Sequence, residues 1–182
     1  MKTNLNHDHF DFLMALAEDC AKWQLGQSTT FNNAFFFVTD SQLVCAWAER
    51  DGSTDPFQNF IAAIRHLAIS KNVTAGVFIE RFERVSVPPP EKCPFSPAPT
   101  VTEYVLLLWQ SRTEELTFFF PVHRHADGTF SHFGQFLPAN PLSWVPNIIP
   151  KQAPSAAQRL TADSSLQPYK LNLETKPIDP GA

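Results

Sequence analysis

Apolar residues recur along this chain with two periods. Between residues 8 and 25, Phe10, Leu13, Met14, Ala17, Cys20 and Ala21 follow the three-and-four spacing of a helix with one buried stripe. Asp8 is placed to cap it and Gly26 to stop it. Phe12, Leu16 and Trp23 widen the apolar face, which predicts packing against more than one neighbour. The same period returns at Phe57, Phe60, Ile61, Ile64, Leu67 and Ala68. Asp55 caps this second helix, Pro56 takes its first position, where a missing amide costs nothing, and Asn72 closes it in a left-handed conformation.

The remaining apolar runs are short and rich in β-formers. Residues 31–39 and 43–49, parted by Asp40-Ser41, predict a hairpin whose AFFFV run needs an inner position or cover. Residues 73–87 predict a long strand with a central ERFER that is polar on both faces, the mark of an edge or a solvated bend. The alternative for that stretch is a cleft in which Glu80 or Glu83 acts as acid, base or ligand.

Residues 101–136 predict two consecutive hairpins, the densest apolar part of the chain. A four-residue turn at 111–114 pairs Gln110 with Glu115, Trp109 with Leu116, Leu107 with Phe118 and Val105 with Phe120. The other face then sets Leu108 against Thr117, Leu106 against Phe119 and Tyr104 against Pro121. Pro121 lacks an amide donor and predicts an edge or a bulge from that point. In the second hairpin Asp127-Gly128 suits a two-residue loop, which sets His125 opposite Phe130, Arg124 opposite Ser131 and His123 opposite His132. His123, His125 and His132 then emerge on one side of the sheet.

In the order α-β-β-α-β-β-β these elements predict an α+β fold. We expect a single antiparallel β-sheet of about five strands with two helices packed on one face, because short turns join the strand pairs. The composition divides the chain into a domain at 1–137, an extended strap at 138–150 that docks back through Leu142, Trp144, Val145, Ile148 and Ile149, and a Pro-rich C-terminal tail at 151–182. The tail is expected to be disordered, lacking the apolar area to offset its ordering entropy. Residues 86–100 hold six prolines in fifteen positions and predict a semi-rigid extended connection with Cys93 at its middle.

Charge and composition narrow the partners. The formal charge of −4 gives no bulk attraction for nucleic acid or anionic lipid, so nucleic acid is an unlikely partner. The first twenty residues lack the continuous apolar core of a signal peptide, and no run approaches the roughly 18 apolar residues that span a bilayer. No membrane association and a cytoplasmic location follow as expectations. Cys20, Cys45 and Cys93 are widely spaced and form neither a disulfide framework nor a CxxC pair. The chain contains no glycine-rich phosphate loop, Rossmann fingerprint, GxSxG, HExxH or EF-hand, which argues against the commonest nucleotide-dependent and hydrolase classes.

Two readings of function follow. The first is a non-enzymatic binding or accessory domain that engages a protein partner through its aromatic surface, the proline-rich connection or the tail. The second is a zinc-type metal site, or a metal-dependent hydrolase, on the 122–136 hairpin, with His123, His125 and His132 as nitrogen ligands and a carboxylate or water completing the shell. Against the second stands a solvated sheet face that happens to carry histidines, and the register of the hairpin decides between them.

Overall fold

The computed structural model describes residues 5–27, 31–39, 42–48, 55–86, 100–139 and 147–177. These form α1 (Leu5–Gln27), β1 (Ala34–Val38), β2 (Gln42–Ala48), α2 (Pro56–Ser70), β3 (Ala75–Ser86), β4 (Thr100–Ser111), β5 (Glu115–Arg124), β6 (Phe130–Phe133), β7 (Leu137–Ala139), α3 (Ala156–Ser165) and β8 (Leu171–Pro177). The fold is α+β with one antiparallel sheet. Its strands run β6-β5-β4-β3-β1-β2-β8, and β7 pairs with β5 off that path.

The first hairpin has the register its side chains demand. All seven pairs from Gln110↔Glu115 to Tyr104↔Pro121 occur as the apolar pattern predicts. The turn closes when Ser111 donates its amide to the Glu114 carbonyl and Glu114 donates its own to the Ser111 hydroxyl, at 2.8 and 2.9 Å. Pro121 lies where the outer neighbour of β5 changes from β7 to β6. Helix α2 also begins and ends as its sequence dictates: the Asp55 carboxylate accepts from the Gln58 amide at 3.0 Å, and Pro56 opens the helix. At its other end Asn72 takes φ 55°, and the amides of Asn72 and Val73 reach back to the carbonyls of Ile69 and Ala68. Those two bonds are the paired reverse bonds that satisfy carbonyls left open at a helix end.

The helices do not share one face. Leu13, Ala17, Ala21 and Leu25 of α1 pack on Phe36, Val77, Ile79, Val105, Leu107 and Trp109, whereas Phe60, Ile61, Ile64 and Leu67 of α2 pack on Phe35, Phe37, Phe78, Leu106 and Leu108 from the opposite side. The reason lies in β1. All five residues of AFFFV are buried, with alternate side chains on opposite faces, so a single helical layer would leave half of them in water. In the middle of the sheet Gly76 permits the close approach of β1; a Cβ there would lie 2.7 Å from the Phe35 ring.

The C-terminal region also departs from its composition. Residues 151–177, where disorder is expected, contain α3 and β8. Helix α3 carries a reciprocal cap in which the Ser155 hydroxyl accepts from the Gln158 amide and the Gln158 side chain accepts from the Ser155 amide. Strand β8 pairs with β2 over seven residues, from Gln42↔Pro177 to Ala48↔Leu171. Its order therefore comes chiefly from main-chain pairing rather than from the side-chain area that composition measures. Of the strap, Ile148 and Ile149 are buried beneath α2, while Leu142, Trp144 and Val145 lie outside the described residues.

Candidate functional site

The histidine hairpin is built from two irregularities that offset each other. Gly128, at φ 84°, ends a turn in which its amide donates to the His125 carbonyl and the His125 amide donates to Thr129, both at 2.9 Å. That loop is one residue longer than the two-residue form, so Arg124 faces Phe130 rather than Ser131. A bulge between His123 and Arg124 then restores the count, and His123 faces His132 as the sequence predicts. Asp127 fastens the turn by accepting from the amide and hydroxyl of Thr129 at 2.9 and 2.6 Å; these bonds, the hydroxyl's first, hold its carboxyl below the usual range.

The two facing imidazoles stack at 4.7 Å between centroids with 15° between planes. His132 Nδ1 lies 3.0 Å from the Ser131 hydroxyl, and His123 rests on the backbone of Gly134, where a Cβ would come within 2.8 Å of Nε2. Both rings emerge on the α2 side of β5, since Phe118, Phe120 and Val122 occupy the α1 side. Arg124 emerges on the α1 side, where its guanidinium grips both oxygens of Glu103 at 2.7 and 2.8 Å while Arg81 binds the same carboxylate at 2.6 Å.

This geometry changes the metal expectation. His123 and His132 face each other, while the backbone of His125 closes the longer loop through its bonds with Thr129 and Gly128. Among the described residues no set of three or more His, Cys, Asp or Glu side chains is arranged to hold a metal ion. Nearly parallel rings also present their in-plane lone pairs side by side. An ion about 2.0–2.1 Å from a nitrogen of each would need a ring to turn.

The carboxylates of ERFER separate in the same way. Beyond Ile79 strand β3 pairs only with β4 among the described residues, so this stretch is a local edge. Glu83 is exposed, facing the Arg81–Glu103 pair, whereas Glu80 sits on the opposite face across from Leu106. Two carboxylates on opposite faces cannot work as an acid–base pair. Glu80 Oε2 is buried with no hydrogen-bond partner among the described residues, and burial pushes its pKa up to about 7. Next to it on that face Phe82 stacks on Tyr104 at 5.5 Å, with Phe119 edge-on to Phe82 at 5.4 Å.

An exposed apolar row lies on α1. Trp23 is 67% exposed and Phe12 49% exposed, in line with half-buried Leu16. Their spacing of four and seven puts them on one edge of the helix, about 16 Å from end to end. In the sequence these residues widen the apolar face and predict a second neighbour. No described element covers them.

Other features carry less. A cleft of about 500 Å³ between α2, α3 and residues 150–154 is lined by Thr161 and Ser165, whose hydroxyls already donate to helix carbonyls. Cys93 and residues 87–99 of the proline-rich connection, with the His7 side chain, lie outside the described residues. Compared with known proteins, the chain matches no family model, no curated protein and no solved structure.

Proposed function

We propose that the protein is a non-enzymatic binding module that engages a protein partner, and that the partner docks on the exposed edge of α1. The observation that carries this reading is Trp23, two-thirds exposed and aligned with Phe12 and Leu16. Large apolar side chains in a contiguous exposed row mark interaction surfaces, and a buried aromatic anchor is what binding energy most often concentrates on. Full burial of each is worth about 1.5–3 kcal/mol. A cytoplasmic setting goes with this reading: Cys20 and Cys45 are free thiols, and burial raises the pKa of both, that of Cys45 to about 12.

A photo-crosslinking residue at position 23, compared in cells with one at exposed Arg159 on α3, tests the reading. A discrete adduct is expected at 23 and not at 159, and it should vanish when Phe12 is changed to Ser. Identical adduct patterns at the two positions, or none at 23, would overturn it.

A second reading rests on the facing pair His123 and His132 as a two-imidazole metal site. It is weaker in ligand number than the three-histidine arrangement the sequence suggests, and it is tested separately below.

A further inference from the structure

Strand β8 is an open end of the sheet: β2 pairs with one side of it, and among the described residues no strand pairs with the other. The main-chain groups that alternate along that outer side are a template for another chain. Pairing with β2 runs unbroken from Leu171 to Pro177, so the edge is regular. Leu171 and Asn172 are half-buried, whereas Leu173, Glu174, Thr175, Lys176 and Pro177 are all exposed, Leu173 at 47%.

The other open edges are blunted. β6 has four residues and stands against the bulge in β5, and β7 has three, with Pro138, which lacks an amide, at its middle. The free side of β3 beyond Ile79 runs along Glu80, Arg81, Glu83 and Arg84. Short strands, bulges, proline and dense charge are the devices that keep an edge from pairing. Among the described residues β8 alone combines length, regularity and exposure. Its two charges, Glu174 and Lys176, oppose a partner of one sign but complement a reversed copy of themselves.

We infer that β8 pairs antiparallel with β8 of a second copy, across a twofold axis at Thr175, so that two sheets become one. Exposure, side-chain direction and charge set this register. Residues that face each other across a strand pair share one side of the sheet, so the axis of a symmetric pair passes through a residue. Thr175 is the middle of the exposed run 173–177. Around it Glu174 faces Lys176 twice, on the side of the sheet where β2 sets Cys45 and Leu43 beside them, and Leu173 faces Pro177 on the other side. Within one copy Lys176 already reaches Glu174 at 3.6 Å, and the second copy gives each a further opposite charge. An axis at Glu174 would oppose two carboxylates, and one at Leu173 would bring Lys176 against Lys170; like charges directly opposite are destabilising. Five facing residues make a small interface, so the dimer is weak and forms as concentration rises. This surface and this partner are separate from the docking on α1.

Sedimentation equilibrium of the full chain at concentrations up to about 1 mM, the range in which weak association registers, tests this. A monomer–dimer equilibrium is expected, with amide exchange along residues 173–176 slowing as the dimer forms. Glu174→Lys and Lys176→Glu should each weaken the dimer by about tenfold, because each turns two attractive pairs into repulsive ones. An equimolar mixture of the two variants should pair as tightly as the parent, since every facing pair is then opposite in charge again; that recovery also shows that both variants are folded. Glu114→Lys, at an exposed turn position, controls for bulk charge and should leave association unchanged. A monomer throughout the range, a dimer whose β8 amides exchange no more slowly, or a mixture no tighter than either variant alone would overturn the inference. A dimer lost with Trp23→Ser yet indifferent to both reversals would overturn it as well and assign self-association to α1.

Discussion

The amide of Ile148 donates to the side-chain oxygen of Gln110 at 2.8 Å, both residues being buried, and this bond ties the chain after β7 to the end of β4. The amide nitrogen of Gln110 donates in turn to Glu115 at 2.8 Å, so one side chain links the strap, β4 and β5. Gln110→Leu keeps the size of the side chain but leaves the Ile148 amide buried without an acceptor. The expected cost is about 1–3 kcal/mol, measured as a fall in the urea midpoint. Glu115→Ala, at a partly exposed position, should cost less. A Gln110→Leu variant as stable as the parent would show that the strap is held by Ile148 and Ile149 packing alone.

Removing residues 155–182 takes away α3 and β8 together. Composition treats that stretch as dispensable, but in the fold its loss turns β2 into an edge and uncovers the apolar surface under Leu166 and Leu171. The truncated chain is expected to melt well below the full-length protein, since each side chain returned to water forfeits on the order of 1 kcal/mol or more. Equal melting temperatures would mean that β8 contributes nothing to stability.

The facing histidines make a two-ligand prediction. If one ring turns so that His123 and His132 share an ion, zinc or nickel at pH 7.5 should raise the melting temperature by an amount that follows metal concentration, as any ligand of the folded state does. His123→Ala and His132→Ala should each abolish the rise, and His125→Ala should leave it intact. A rise that needs His125 would restore the three-ligand expectation, and one that survives loss of both facing histidines would place the metal elsewhere.

What the sequence reveals and conceals here has physical causes. The β4–β5 register is legible because the four-residue turn at 111–114 fixes which residues face one another, and the apolar pairs follow from that count. The His123↔His132 pair is reached correctly by counting, yet through a loop and a bulge whose slips offset, so the same count misplaces Arg124, which faces Phe130 rather than Ser131. Helix period identifies the stripe of α1 but carries no information on which face of a two-sided sheet receives it. Ser155 and Gln158 do spell the cap of α3 in the sequence; eight prolines nearby outweigh them in any reading based on composition. The exposed edge of α1 is legible only as excess apolar width at Phe12, Leu16 and Trp23. Its exposure becomes visible once the sheet is in place.

Glu80 supplies a prediction about pH. In the unfolded chain its carboxyl titrates near its ordinary value of 4.5, and in the fold burial raises it to about 7. The folded state therefore holds this proton where the unfolded state has already released it. Its contribution is most favourable at and below pH 4.5, declines as pH rises towards 7, and changes no further above that. Each pKa unit corresponds to about 1.4 kcal/mol, so the penalty at pH 8 is on the order of 2 kcal/mol after allowing for the carboxyl's partial exposure. Glu80→Gln removes the titration while nearly preserving shape. Urea unfolding of parent and variant at pH 5, 6, 7 and 8 should show the variant gaining on the parent at each step up to about pH 7 and then holding its lead. Stability profiles that run parallel across this range would mean that the carboxyl is solvated in the folded state, and that the aromatic face formed by Phe82, Tyr104 and Phe119 does not shield it.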